Sequence, residues 1–326
     1  VVQGVTHASC VPGESYLSVL DALIGSGIDL ITCRAEGGAA MMADAHGKLT
    51  GQPGICFVTR GPGATNASPG LHIAMQDSTP MIMFGGQVER GMRHREAFQE
   101  LDYSKAFGEI SKWAVEIDRA ERIPEIVARA FRVSTQGRPG PVVIALPEDM
   151  LDETAAVADT TPIAPVEPAP RPEDIEQFGQ LLANAQRPMV IVGGSRWSEQ
   201  SRDDLIAFAK RADLPVAAAF RRAACYPAHD DQFVGDLGIG PNPQLSACLD
   251  QSDLVVLIGG RMSEIASSSY TLLDIPVPKQ KLVHIHSDPM ELGRVYQPEL
   301  AINATPATFM AASRDLVVEP AWAKHR

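Results

Sequence analysis

Apolar residues fall along this chain in short unbroken runs, separated by segments whose apolar positions recur every three or four residues. In the first half the runs are Ile28–Ile31, Gly54–Thr59, Pro80–Gly85 and Pro141–Leu146; in the second they are Pro188–Val192, Pro215–Ala219, Asp253–Ile258 and Lys281–His286. Runs of this length, rich in β-branched residues and bounded by turn-forming ones, predict buried strands. The opening stretch, Val1–Val11, reads as one more strand-like run interrupted by polar residues. Between the runs the spacing turns helical. Leu17, Leu20 and Ile24 mark one helix, Ala39, Met42, Ala43 and His46 fall on one face of a second, and Leu71, Ile73, Ala74 and Met75 lie in a third. Ile123–Thr135, Glu173–Asn184 and Asp203–Ala212 read as further helices. Strands that alternate with helices predict an α/β fold of doubly wound parallel sheets, covered on both faces.

At 326 residues the chain is long enough for two domains. The segment 151–172 divides them: Pro162, Pro165, Pro168, Pro170 and Pro172 stand there among alanine, threonine and acidic residues, the composition of a semi-rigid extended linker. The expected organisation is therefore a first domain over 1–150, the linker, and a second domain of nucleotide-fold character over 173–326. The chain opens on Val1 rather than methionine, so the original N-terminus is expected to lie further upstream.

Charge and cysteine content narrow the function classes. The formal net charge is −12 and no basic block occurs, which argues against nucleic-acid binding through phosphate neutralisation. No apolar run reaches the roughly 20 residues of a membrane span. Cys10, Cys33, Cys56, Cys225 and Cys248 are scattered, odd in number and without metal-type spacing, and read as reduced thiols of a cytoplasmic protein.

The sharpest candidate for chemistry is Glu36, which sits where the run Ile28–Ile31 hands over to the helical stretch and is followed by Gly37, Gly38, Ala39 and Ala40. In open α/β sheets, ligands bind at this strand-to-helix edge, and the small residues would let a ligand approach the backbone. Taken by itself, a first-turn glutamate is more often a favourable partner of the helix dipole. The glycine-rich Arg60–Asn66, RGPGATN, reads as a turn able to offer amides to an anion; it matches neither the dinucleotide nor the Walker A spacing. His46 and His94 read as packing and surface residues. His284 and His286 alternate on a strand and also read as packing, since no third ligand stands at a spacing suited to metal.

Several motifs in order carry a resemblance. VPGES at Val11–Ser15, RAEGGAAMMADAHGKLTGQPG at Arg34–Gly54, FVTRGPGATN at Phe57–Asn66, QDSTPMIMFGGQV at Gln76–Val88, EAFQELD at Glu96–Asp102 and GRPGPVVIALPEDM at Gly137–Met150 together resemble the pyrimidine-binding domain of thiamine-diphosphate enzymes, in the acetolactate synthase-like branch. The second half is similar to the central domain of the same enzymes, with looser motifs. The resemblance implies that Glu36 pairs with N1′ of the cofactor's aminopyrimidine inside an apolar cleft. There desolvation favours the neutral acid and the helix N-terminus the anion, so that carboxyl and ring share a proton and the 4′-amino group can deprotonate the thiazolium C2. It implies that Phe98 and Gln99 lie on a loop facing substrate and cofactor, and that Gly13 and Glu14 approach the cofactor; synthases often carry a second glycine where Glu14 stands.

In the second domain the resemblance points to small or polar strand ends, Gly193–Ser195, Gly259–Arg261 and Ser287–Asp288. In relatives the matching positions hold FAD, ADP or nothing. Arg261 is placed to contact a pyrophosphate, and Asp288 a ribose or a backbone amide; Met262-Ser263-Glu264 departs from the flavin-binding pattern. Magnesium and the diphosphate are expected on a third domain carrying a Gly-Asp-Gly motif. The nearest approach here is Gly235-Asp236-Leu237-Gly238, and the sequence stops at 323–326, about where the connection to that domain is expected. The implied activity is that of a 2-keto acid decarboxylase or carboligase, with pyruvate decarboxylation and transfer of the hydroxyethyl unit to a second 2-keto acid, in a homodimer or homotetramer. Oxalyl-CoA decarboxylase, benzoylformate decarboxylase, glyoxylate carboligase and a catalytically silent assembly module are the alternatives.

Overall fold

A computed structural model describes residues 1–318 and 322; the chain end at 323–326, where the third-domain connection was expected, lies outside the described residues. The chain forms two compact units, Val1–Pro165 and Val166–Arg326. Each holds one six-stranded sheet in which every pairing is parallel, so the fold is α/β and doubly wound.

In the first unit the strands are β1 (His7–Cys10), β2 (Asp29–Thr32), β3 (Gly54–Val58), β4 (Met81–Gln87), β5 (Trp113–Glu116) and β6 (Pro141–Pro147), in the order β2-β1-β3-β4-β6-β5. Its helices are α1 (Leu17–Leu23), α2 (Glu36–Thr50), α3 (Gly61–Asn66), α4 (Ser68–Asp77), α5 (Tyr103–Phe107), α6 (Ile123–Thr135) and α7 (Glu148–Leu151). Successive strand residues face opposite ways, and two cores result. Ile55, Phe57, Ile82, Val142 and Ile144 pack with Ile126, Ala130 and Phe131 of α6, while Cys56, Val58, Met81, Met83, Val143 and Ala145 pack with Ala39, Ala40 and Ala43 of α2 and Leu71 of α4.

Several expectations shift. The opening run is a strand only over His7–Cys10, the stretch with partners in β2 and β3. β2 is not a buried strand: it has one neighbour, and Asp29, Ile31 and Thr32 are exposed. Arg60–Asn66 is not a turn leading to a helix, because helix α3 already begins at Gly61 with a proline in its first turn. The inward face of α2 is rotated from the one expected: Ala39, Ala40, Ala43 and Gly47 are buried, whereas Met42 is 41% exposed. The cause is a demand for close approach. A Cβ on Gly54 would lie 1.9 Å from the Ala43 carbonyl oxygen, and one on Gly70 would lie 2.5 Å from the Ala40 Cβ, so only the alanine and glycine side of α2 fits against β3 and α4.

The second unit contains β7 (Pro188–Val192), β8 (Val216–Ala219), β9 (Phe233–Leu237), β10 (Leu254–Ile258), β11 (Lys281–His286) and β12 (Leu300–Asn303), with helices α8 (Pro172–Asn184), α9 (Glu199–Ala212), α10 (Pro243–Gln251) and α11 (Pro306–Ser313). The order β12-β11-β10-β7-β8-β9 is that of the dinucleotide-binding fold, with its reversal between β7 and β10. Val190, Val192, Val256 and Ile258 pack with Phe178 of α8, Phe208 of α9 and Phe309 of α11 on one face; Ile191, Val255 and Leu257 pack with Leu245 and Leu249 of α10 on the other. Helix starts are capped locally: the Thr305 hydroxyl accepts from the Thr308 amide at 3.1 Å, and Ser198 from Ser201 at 3.1 Å. Residues 154–171 carry no regular structure, and they are tethered. Gln3 accepts from the Ile163 amide (2.9 Å) in the first unit, and the Pro168 carbonyl accepts from the Thr308 hydroxyl (2.6 Å) in the second.

Gly54→Ala is expected to destabilise the first unit by about 1–3 kcal/mol, the cost of overpacking where backbone must move. Urea denaturation of the two proteins checks this, and an unchanged midpoint would show that α2 has room to retreat.

Candidate active site

In the first unit the strand order reverses between β1 and β3. The loops that leave their carboxyl ends, with those leaving β2 and β4, share the edge at which open α/β sheets bind ligands. Glu36 lies on this edge as the first residue of α2, behind the uncapped Ala35. Its carboxylate Oε2 accepts a 2.6 Å hydrogen bond from the Asn66 side-chain amide at the end of α3. Oε1 faces Gly63, where a Cβ would stand only 3.3 Å away; a Cβ on Gly38 would meet nothing within 4 Å. The carboxylate is thus flanked by Asn66 and Gly63 of α3. The apolar enclosure expected for Glu36 is not supplied by this chain: the residue is half-buried and Asn66 is exposed, since the short helix α3 covers only one flank.

Gly13 sits directly over β3, with its α-carbon so close to Thr59 that a Cβ would approach the Thr59 Cβ to 2.6 Å. The Ser15 and Thr59 hydroxyls lie 3.1 Å apart, and a Cβ on Gly86 would strike Ser15. VPGES therefore forms a tight seam across the ends of β1, β3 and β4, with Glu14 exposed on its single helical turn. Gln99 joins the same edge through its backbone, its carbonyl accepting from the Gly61 amide at 3.0 Å at the start of α3. Phe98 is 78% exposed. The structure thus brings Gly13, Glu36 and Gln99 to one sheet edge and leaves Glu14 and Phe98 facing outward. Sequence reasoning gave Asn66 no role of its own, although it lay within a recognised motif; its pairing with Glu36 becomes visible only once α3 is folded beside α2.

In the second unit Gly193 and Gly194 follow β7, and Gly259 and Gly260 follow β10, at the reversal of strand order. The two turns touch: a Cβ on Gly194, whose φ is +67°, would lie 1.7 Å from the Gly259 carbonyl oxygen, and a Cβ on Gly193 would lie 3.2 Å from the Gly260 α-carbon. Arg196, Arg221, Arg222 and Arg261 all follow the carboxyl ends of β7, β8 and β10. This concentrates guanidinium charge on one edge of an otherwise acidic chain. Arg221 and Arg222 were not singled out from the sequence, because their common edge with Arg261 depends on the sheet order. The Asp288 carboxylate accepts from the Met290 amide at 3.0 Å, the backbone-amide contact that was one of its two expected roles. His284 is buried with Nε2 2.9 Å from the Gly260 carbonyl oxygen, a contact that fixes this turn and accounts for the histidine as a packing residue. Gly235–Leu237, the near match to a diphosphate motif, lies within strand β9, and burial pushes the Asp236 carboxyl above its usual range. Among the described residues, no helix is long and apolar enough to cross a membrane, and all five cysteines are free thiols.

Residues 1–106 match the thiamine pyrophosphate enzyme N-terminal TPP binding domain, and residues 175–313 match the thiamine pyrophosphate enzyme central domain. The chain belongs to the thiamine pyrophosphate enzyme family, in its acetolactate synthase-like branch. It is 29% identical to the acetolactate synthase isozyme 2 large subunit of Escherichia coli over 323 residues, 99% of this chain and 58% of that protein. It is 33% identical to the acetolactate synthase large subunit of Haemophilus influenzae over 300 residues, 90% of this chain and 52% of that one. The acetolactate synthase of Bacillus subtilis is 30% identical over 320 residues, 97% and 55% of the respective chains. The chain spans about half the length of the curated relatives it matches.

Burial pushes His284 down from 6.5 to about 4. Because the folded value lies below the unfolded one, the stability that neutral His284 contributes is full above about pH 6.5 and lost progressively as pH falls toward 4. His284→Gln, which keeps an N–H donor without a titrating ring, is expected to melt with a shallower loss between these limits. Parallel melting curves for the two proteins would remove His284 as the cause.

Proposed function

We propose that these two units provide the pyrimidine-binding and central parts of a thiamine-diphosphate-dependent enzyme that decarboxylates pyruvate and joins the two-carbon unit to a second 2-keto acid, as in an acetolactate synthase. The observation that carries this reading is the Glu36 carboxylate, held by Asn66 at the first turn of α2 on the edge where the strand order reverses. The names of the relatives support the choice of reaction.

The residues present fit the pyrimidine half of that cofactor. One carboxylate oxygen is occupied by Asn66, and the other lies beside Gly63, a position where a side chain would crowd it. When bound, thiamine diphosphate supplies the electron sink for decarboxylation. Glu36 holds the proton that it shares with the ring nitrogen N1′. The amide of Asn66 keeps the carboxylate in one orientation. Gly13 and Glu14 border the site beside β1, while Gln99 and Phe98 border it beside α3 and select the keto acid. The diphosphate and its Mg²⁺ are assigned, with the resemblance, to a third domain. The open side of Glu36 is closed by a second subunit in a homodimer, itself able to pair into a tetramer. Met41 and Met42, 46% and 41% exposed on the outer face of α2, are suited to such a contact.

The second unit is assigned an adenine nucleotide, FAD or ADP. The touching turns of Gly193–Gly194 and Gly259–Gly260 let a pyrophosphate approach backbone at the reversal of strand order, and Arg261 supplies charge. Asp288 shapes the neighbouring turn. The thiol pattern favours a cytoplasmic setting.

In the full-length protein, Glu36→Gln is expected to lower carboligation by at least about 100-fold, the usual worth of a positioned proton-transfer group, with an unchanged melting temperature. Turnover near that of the parent would overturn the assignment. Titration calorimetry with ADP and with FAD is expected to show about tenfold weaker binding by Arg261→Ala. Absence of binding to the parent protein would remove the nucleotide reading.

A further inference from the structure

The loop between β4 and α5 carries an unusual amount of backbone strain. His94, Glu96 and Gln99 have φ of +64°, +54° and +66°, the left-handed region that residues with a Cβ seldom occupy. Such conformations persist only where surrounding contacts over-determine them. Here the contacts converge on one side chain. Glu100 Oε1 accepts from the His94 backbone amide at 2.6 Å and from Arg93 Nε at 3.2 Å, while Oε2 accepts from the Ala97 amide at 3.2 Å. The amide of His94 first, then that of Ala97 and the Arg93 guanidinium, hold the Glu100 carboxylate below its ordinary range. Only 12% of the side chain is exposed.

The clamp is anchored in the sheet. Arg93 also pairs with Glu116 of β5. Glu116 in turn lies 3.4 Å from the Gln87 side-chain nitrogen at the end of β4, and that nitrogen donates to the Leu101 carbonyl at 2.6 Å. At the far end the Gln99 carbonyl is held by the Gly61 amide, where a Cβ would come within 2.8 Å of the same oxygen. Between these fixed points Phe98 is forced outward rather than into either core.

We infer that Glu100 is a positioning residue: by gathering the amides of His94 and Ala97 it holds the 93–99 loop in the strained pose that presents Phe98 and Gln99 to the substrate, and so sets keto-acid selection without touching the reacting atoms. This rests on the proposed function for the identity of the substrate, but the clamp itself can be tested apart from it. Glutamine at 100 retains the shape and replaces one acceptor oxygen with a donor, which faces an amide or guanidinium donor and opens that arm of the clamp.

The experiment has two readouts on the full-length protein. Limited trypsin digestion, with sites mapped by mass spectrometry, is expected to cleave Glu100→Gln after Arg93 or Arg95 about tenfold faster than the parent at an unchanged melting temperature. Steady-state kinetics are expected to show a KM for the keto acid raised about tenfold with kcat little altered, the mark of binding lost equally from ground and transition states. Unchanged cleavage overturns the clamp. Faster cleavage with an unchanged KM overturns its role in selection. Faster cleavage in a protein whose parent form has no carboligase activity supports the clamp and discards the proposed function instead. Should Glu100→Gln fail to fold, Arg93→Gln removes the guanidinium from both Glu100 and Glu116, abolishes the tryptic site at 93 and leaves both backbone arms; a smaller but measurable acceleration of cleavage after Arg95 supports the inference, and none overturns it.

Discussion

The structure of the first unit depends on how closely α2 approaches β3 and α4. Carbonyl oxygens and methyl groups come so near Gly54 and Gly70 that no side chain fits at either position. That contact fixes the rotation of α2 about its axis and the height of its first turn above the sheet. Glu36 is consequently placed by packing rather than by a cap of its own, since Ala35 offers no side-chain acceptor. The same rotation leaves Met41 and Met42 outside. One steric demand therefore determines where the carboxylate points and which apolar side chains of α2 stay exposed.

The candidate site was legible in the sequence to the extent that it is local. Glu36 opens its helix in sequence as in space, and β3, β4, β6, β7 and β10 announce themselves because burial on both faces requires an unbroken apolar run. What depends on neighbours was not legible. Ile28–Ile31 reads the same whether one strand or two lies beside it, and it proved to be an edge. β5 and β12 escaped notice because the first is only half-buried along its length and the second alternates buried and exposed residues at the sheet margin. β9 was obscured by Gly235 and by the register shift against β8. Ala39, Ala43 and His46 have helical spacing, but spacing cannot tell which side of a mostly small-residue helix is asked to pack tightest.

The two units use one architectural device with opposite charge. In each, a parallel sheet reverses its strand order, and the turns leaving the two central strands diverge at its carboxyl edge. In the first unit that edge carries a carboxylate, set at the positive end of a long helix and braced by an amide. In the second it carries arginines around glycine turns that touch backbone to backbone. A carboxylate suits a ring that can share a proton, whereas guanidinium groups suit a phosphate.

The glycines differ in what they do at these edges, and the difference matters for specificity. Gly194 and Gly259, with φ of +67° and +71°, lock two turns against one another, so the edge of the second unit is rigid at its centre. In the first unit the matching rigidity is supplied by side chains. Thr59 and Ser15 close the seam beneath Gly13, and the loop after β4 is drawn into left-handed conformations by a carboxylate that gathers its amides. An edge held by side chains can be retuned by single substitutions in a way that an edge held by backbone contact cannot. Single substitutions can therefore reshape the loop bearing Phe98 and Gln99, whereas the touching turns of the second unit leave no room for a side chain at Gly194.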